Sequence, residues 1–244
     1  MDIKDTPTIE AIAETEIQLK HLQEKLESLK QQEKQEDAPS TLELVNDLAT
    51  FLRRFIVFTD SNSSILIALW IMNTYIYDNF IYCGYLWINS AVRRCGKSRL
   101  EDLLSEVCHG ASSPMCNPSE AVIFHNAGLG NTLIIDEVES LASQDAQTNQ
   151  TIMSVINAGY QSGAVVPRMV RVEGGWTTQT YNVYCPKVLA SIKPLVDTIA
   201  DRSFRIFMKP KTRNEKVERW NRRKEDANLK ALRGRLEKWS GAYK

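Results

Sequence analysis

Apolar positions recur with a changing period along the 244 residues, and each change marks a predicted element. From Thr8 to about Glu36 a Gln-, Glu- and Lys-rich stretch without glycine carries Leu19, Leu22, Leu26 and Leu29 alternately three and four apart. That is the pattern of a short coiled coil or helical hairpin, and equally of a solvated helix laid on the body. Asp37-Ala38-Pro39-Ser40 breaks it. Two denser apolar segments, Thr41 to Arg54 and Ser61 to Tyr77, then read as helices packed on a core. Beyond them short β-prone runs (Tyr85 to Ile88, Thr132 to Ile135, Val183 to Ile192, Phe204 to Met208) alternate with helical ones (Ser98 to Val107, Ser119 to Ala127, Asn149 to Tyr160, Asp197 to Ser203). Strand-helix alternation of this kind predicts an α/β fold with a parallel sheet. One segment departs from it: Val165 to Val172 and Trp176 to Tyr184 are β-prone arms around Glu173-Gly174-Gly175, an inserted β-hairpin.

These patterns divide the chain into an N-terminal helix and linker (1–39), a helical segment packed on the core (40–84), the core itself (85–209) and a basic C-terminal helix (210–244). An apolar content of 43% is ample for one buried core. The longest apolar stretch, Ile65 to Tyr77, is interrupted by Asn73 and Thr74 and falls short of the roughly 20 residues that span a bilayer, so no membrane partner is expected. The polar, acidic start lacks a signal-peptide pattern, which leads to an expectation of a cytoplasmic chain. The five cysteines have irregular spacings without the tight pairs of structural zinc sites, so free thiols are expected. A net formal charge of zero conceals asymmetry: residues 1–39 carry ten acids against five bases, and residues 209–244 thirteen bases against five acids. The basic tail suits either nucleic acid or a solvated helix face.

Candidate chemistry begins at Arg94-Cys95-Gly96-Lys97-Ser98-Arg99, between a strand-like run and a leucine-striped helix with Leu100, Leu103, Leu104 and Val107 at i, i+3, i+4 and i+7. Gly-Lys-Ser in that setting is the end of a phosphate-cradling loop. Backbone amides and the helix N-terminus surround phosphate oxygens, Lys97 reaches the same oxygens, and the Ser98 hydroxyl ligates Mg²⁺. The full pattern has glycine where this chain has Ala91. A second strand, Thr132 to Ile135, ends in Asp136-Glu137, thirty-nine residues after Lys97. An Asp at such a strand end holds the Mg²⁺ shell, and the following Glu orients and deprotonates the attacking water. Arg202, leading into the last strand, is placed to stabilise a γ-phosphate bound by a neighbouring subunit. On the hairpin, Arg168, Arg171 and Trp176 suit gripping a nucleic-acid backbone, although a plain sheet extension with solvated arginines has the same sequence.

In order, Leu-Trp-Ile at 69–71, Arg-Cys-Gly-Lys-Ser at 94–98, Asn-Pro-Ser-Glu-Ala at 117–121, Ile-Asp-Glu at 135–137, Asn-Ala-Gly-Tyr at 157–160, Pro-Lys-Val-Leu-Ala at 186–190 and Asp-Thr-Ile-Ala-Asp-Arg-Ser at 197–203 resemble a known group. The chain looks like the domain-of-unknown-function P-loop ATPases of phage, plasmid and integrated-element replication proteins, often found beside primase or helicase modules. The resemblance covers about residues 41 to 240. It implies an AAA+-like P-loop NTPase with a five-stranded parallel core sheet flanked by helices, assembly into a homo-oligomeric hexameric ring, a polar sensor at Ser191 or Asn157, and Arg202 acting in trans. Such proteins accept a residue other than glycine at the Ala91 position. They continue past the Leu236 to Trp239 region into a further helical lid, so residues 210–244 are expected to supply a partial one. The implied activity uses ATP and Mg²⁺ to drive a DNA helicase or translocase. A nucleotide-gated scaffold or defence-signalling ATPase, recruiting a protein partner through residues 8–36, is the alternative. Binding without hydrolysis is a third, against which intact Lys97, Asp136 and Glu137 argue.

Overall fold

The computed structural model describes residues 17, 19–30, 38–90, 92, 94–139 and 146–243, with side chains throughout except at 146–149. Ala91 and the flanks of the 8–36 segment lie outside them. The chain runs α1 (residues 19–30), α2 (Thr41–Phe55), α3 (Asn62–Asn73), β1 (Tyr85–Asn89), α4 (Lys97–Val107), β2 (Met115–Cys116), α5 (Glu120–Gly128), β3 (Leu133–Asp136), α6 (Ala146–Ala158), β4 (Val165–Val172), β5 (Gly175–Asn182), β6 (Lys187–Ser191), α7 (Asp197–Ala200), β7 (Ser203–Phe207) and α8 (Arg222–Gly241).

Five strands form a parallel sheet in the order β2-β3-β6-β1-β7, and β4 with β5 forms the separate antiparallel hairpin. Every residue of β1 and β6 is buried, as expected of strands covered by helices on both faces. Alternation along β1 assigns the faces. Leu86 and Ile88 join α2, α3, α4 and α8 in one apolar cluster, whereas Tyr85 and Trp87 join α5, α6 and the base of the hairpin in the other. The α/β expectation with an inserted hairpin thus holds. Among the described residues no helix is long and apolar enough to cross a membrane.

Two predicted elements are shorter than their hydrophobic runs. The helix expected to reach Tyr77 ends at Asn73. There the Thr74 hydroxyl donates to the Ile71 carbonyl at 2.6 Å and accepts the His109 amide at 3.0 Å, while the Tyr184 hydroxyl sits 2.8 and 2.7 Å from the Tyr77 and Phe80 carbonyls. The strand expected from Val183 begins only at Lys187, because Pro186 has no amide to give a ladder. Lys187 is fully buried, and its ammonium donates to the Gly159, Val183 and Cys185 carbonyls at 3.0 to 3.1 Å. A Cβ at Gly159 would lie 2.4 Å from that nitrogen, so only glycine fits.

The basic C-terminal helix belongs to the body. Leu229, Leu232, Leu236 and Trp239 of α8 enter the cluster of α2 and α4, and Trp239 Nε1 donates to Thr41 Oγ1 at 2.9 Å. What passes the candidate site is the strap before it, residues 209–221. Arg54 of α2 holds this strap with a two-carboxylate clamp: Nε and Nη2 donate to Glu218 at 2.9 and 2.7 Å, and Nη1 and Nη2 donate to Glu225 at 3.0 and 2.9 Å. Trp220 packs edge-on against Phe55 at 5.1 Å between ring centres.

The hydrogen bonds from Arg54 hold both carboxyls below the usual glutamate value of 4.5. Depressed carboxylates lend stability that is present above that value and lost as pH falls through the lower folded values. Arg54→Leu should therefore lower the melting temperature at pH 7, and the gap to wild type should close as pH falls below about 4.5, read by thermal unfolding across a pH series.

Candidate nucleotide site

All five core strands point their C-terminal ends to one edge, and the crevice there is where open α/β sheets bind ligands. A cavity of about 640 Å³ opens at this edge, within the range of small-molecule sites. Arg94, Cys95, Gly96, Lys97, Ser98 and Arg99 line it from the loop after β1, and Asp136 and Glu137 from the end of β3. The two motifs predicted to cooperate are brought together although β6 separates their strands in the sheet.

Gly96 makes the loop possible. Its φ of +92° is a left-handed conformation that glycine adopts without a Cβ penalty, and it places Lys97 as the first residue of α4. The first helical hydrogen bond of that turn runs from Leu100 N–H to Gly96 C=O at 3.0 Å, and no side chain caps the end. The amides of the first turn are thus directed at the cavity, with the positive end of the helix dipole behind them. Two further residues take left-handed backbone here, Arg94 at φ 62° and Glu137 at φ 50°. Neither is glycine, so each carries a local cost of order 1–3 kcal/mol that the surrounding fold sustains. At Glu137 the turn is braced by its own amide, which donates to Asp136 Oδ1 at 2.7 Å.

The ionisable lining is cationic: Arg94, Lys97, Arg99, Lys209 and Lys211 against Asp136 and Glu137. Such an excess suits a polyphosphate. Phe55, Ile56, Val57 and Val217 add an apolar side to the same cavity. Lys209, Lys211 and the Phe55–Val57 segment were not among the sequence candidates. The signal for Lys209 was its position two residues past the end of β7, at the carboxyl edge of the sheet. Glu101 was missed as well. It is 1% exposed on α4, and its Oε1 has no hydrogen-bond partner. Burial first, and then the Asp136 charge, push its acid up to about 8, with Lys97 acting in the opposite sense.

The remaining candidates lie elsewhere. Ser191, at the end of β6 between the two motifs, is buried and doubly engaged: its hydroxyl accepts from Trp87 Nε1 at 2.8 Å and donates to the Lys193 carbonyl at 2.7 Å. Its neighbour Ile192 lines the cavity. Asn157 and Arg202 sit together near the opposite, N-terminal edge. Arg202 Nη1 donates to the Asn157 carbonyl at 2.7 Å, its guanidinium stacks 4.1 Å over the Tyr160 ring, and its carbonyl accepts from Tyr85 at the start of β1. Neither lines this chain's own cavity. On the hairpin, strand alternation sends Arg168 and Arg171 to opposite faces. Arg168 turns toward the body, 5.5 Å over the Phe124 ring, whereas Arg171 is exposed and pairs across the strands with Trp176, itself 67% exposed.

No family model and no curated protein matches this chain. Among solved structures it is similar to the apo A form of the NrS-1 C-terminal region, at 16% identity over 82% of this chain and 44% of that one, with a TM-score of 0.43. It is also similar to JCV helicase, at 15% identity over 84% of this chain and 53% of that one, with a TM-score of 0.37. The chain thus spans about half the length of either. What the site does is decided by its own residues.

Lys97→Ala should weaken binding of an ATP analogue by about 10- to 100-fold, the value of one charged hydrogen-bonding group, with the melting temperature of the free protein unchanged within a degree or two. Fluorescence titration beside a thermal melt reads both.

Proposed function

We propose that the chain is an ATP-hydrolysing P-loop motor that acts on DNA as an oligomeric ring, helicase- or translocase-like, in the replication of a mobile element. The observation that carries the reading is the meeting of Lys97, Ser98, Asp136 and Glu137 around one cationic cavity at the carboxyl edge of the sheet. Lys97 and the first-turn amides of α4 take the β- and γ-phosphates. Glu137, on its left-handed turn beside Asp136, accepts the proton of the attacking water. The apolar side of the cavity, from Phe55 to Val57 and Val217, suits the nucleoside end.

Hydrolysis of this class uses Mg²⁺, and the donors fit it: a hydroxyl from Ser98 and a carboxylate from Asp136 are hard oxygen ligands. Among the described residues no three His, Cys, Asp or Glu form a group able to hold a metal ion alone. That suits an ion shared with nucleotide phosphates. When bound, it withdraws charge from the phosphate oxygens.

DNA is the proposed track because the exposed Trp176–Arg171 pair offers a base-stacking face beside a backbone contact. Arg202, turned away from its own cavity, suits a contact with the nucleotide of a neighbouring copy. One observation favours the second reading, a nucleotide-gated scaffold that recruits a protein partner. Leu19, Leu22, Leu26 and Leu29 of α1 are all more than half exposed, a leucine row that a partner helix would cover.

Glu137→Gln should retain ATP binding and lose hydrolysis by at least 100-fold, measured as nucleotide affinity and phosphate release on one preparation. Normal turnover in that variant would remove Glu137 from the chemistry. Replacing Arg171 and Trp176 together with alanine should weaken single-stranded DNA binding by about 10-fold or more and abolish DNA stimulation of turnover while sparing basal hydrolysis. Stimulation that survives both changes, or ATP-dependent assembly indifferent to DNA, would favour the scaffold.

A further inference from the structure

One acidic side chain beside the site has no role in the chemistry above. Glu101 lies four residues after Lys97 and three after Ser98, so the three share the face of α4 that fronts β3. Side chains on a helix lean toward its N-terminus, which carries the Glu101 carboxyl up toward the phosphate loop. There it comes within electrostatic reach of Asp136 at the end of β3. Glu101 is 1% exposed, and its Oε1 has no hydrogen-bond partner at all. None of the ion pairs among the described residues includes it. A buried carboxyl oxygen left without a partner costs of order 1–3 kcal/mol. A plain structural acid in this helix would have been given a cation or an amide. Glu106, five residues on, has both Arg222 at 2.8 Å and Arg233 at 3.5 Å.

We propose that Glu101 is part of the divalent-cation site: with Asp136 it forms a two-carboxylate wall, and its unpartnered oxygen holds a water of the ion that arrives with the nucleotide. This rests on the nucleotide reading above and adds to it a buried acid that neither the Gly-Lys-Ser loop nor the Asp-Glu strand end contains. A hydrated Mg²⁺ keeps several waters and takes one or two carboxylates beside its phosphates, so an outer oxygen acceptor one helical turn below Ser98 has a partner to receive.

The test uses Mn²⁺ as a paramagnetic substitute. Its affinity for the full chain saturated with a non-hydrolysable ATP analogue is read by electron paramagnetic resonance, beside analogue affinity in EDTA and the thermal melt. Glu101→Gln keeps the shape and removes the ionisable carboxyl. It should weaken Mn²⁺ by about 10- to 100-fold, the usual effect of removing an outer partner of a metal. Analogue affinity in EDTA should stay within about two-fold. Glu101→Asp, which keeps the carboxyl on a shorter arm, should give an intermediate Mn²⁺ affinity and guards against a fold defect in the first variant. Wild-type Mn²⁺ affinity in both variants would overturn the inference while leaving the nucleotide site standing. If Mn²⁺ fails to bind the wild-type nucleotide complex, the parent reading fails and takes the inference with it.

Discussion

The start of α4 is the constraint on which the site depends. A strand buried on both faces delivers the chain to the carboxyl edge of the sheet. A left-handed glycine then turns it so that a helix begins at once with Lys97. That junction fixes three things together: the amides that face the cavity, the lysine beside them, and the register that buries Leu100, Leu103, Leu104 and Val107 against the sheet. A Cβ at position 96 would make only ordinary contact, its nearest neighbour being Met208 Cε at 3.5 Å. Backbone conformation, and not crowding, is therefore what requires glycine.

Charge governs what the junction can bind. The cavity gathers cations from three places: the phosphate loop, the start of α4 and the strap after β7. The acids come from the end of β3 and, buried beneath, from α4 itself. The cationic lining suits phosphates, and the acids beneath it suit the divalent ion proposed to come with them. The strap that supplies Lys209 and Lys211 is held on its far side by Arg54, so binding at the cavity and the anchoring of the strap act on one short segment.

The sequence revealed the fold where local pattern and tertiary environment agree. Gly96-Lys97-Ser98 between a strand and a leucine-striped helix, and Asp136-Glu137 at a strand end, are constellations in which residue type, spacing and position all point to one chemistry. Glu101 escaped notice because a glutamate amid Leu100, Leu103 and Leu104 reads as part of a solvated stripe, and only the packing of α4 on β3 turns it inward. Lys209 and Lys211 were read as part of a basic tail, because the separation between strap and helix depends on Arg54, far away in sequence. Arg168 and Arg171 show the reverse case. Three apart on a strand they must face opposite ways, a distinction available from the period alone. Asn157 matched a short pattern but sits on α6 near the wrong edge of the sheet, a matter of topology that no local pattern carries.

The central claim is that this cavity hydrolyses a nucleoside triphosphate. The most direct measurement is steady-state phosphate release from ATP by the purified chain, with Mg²⁺ or with EDTA, and with or without single-stranded DNA. Release that requires the divalent ion and rises when DNA is added is the predicted result. A chain that binds ATP under these conditions yet releases no phosphate with or without DNA would contradict it.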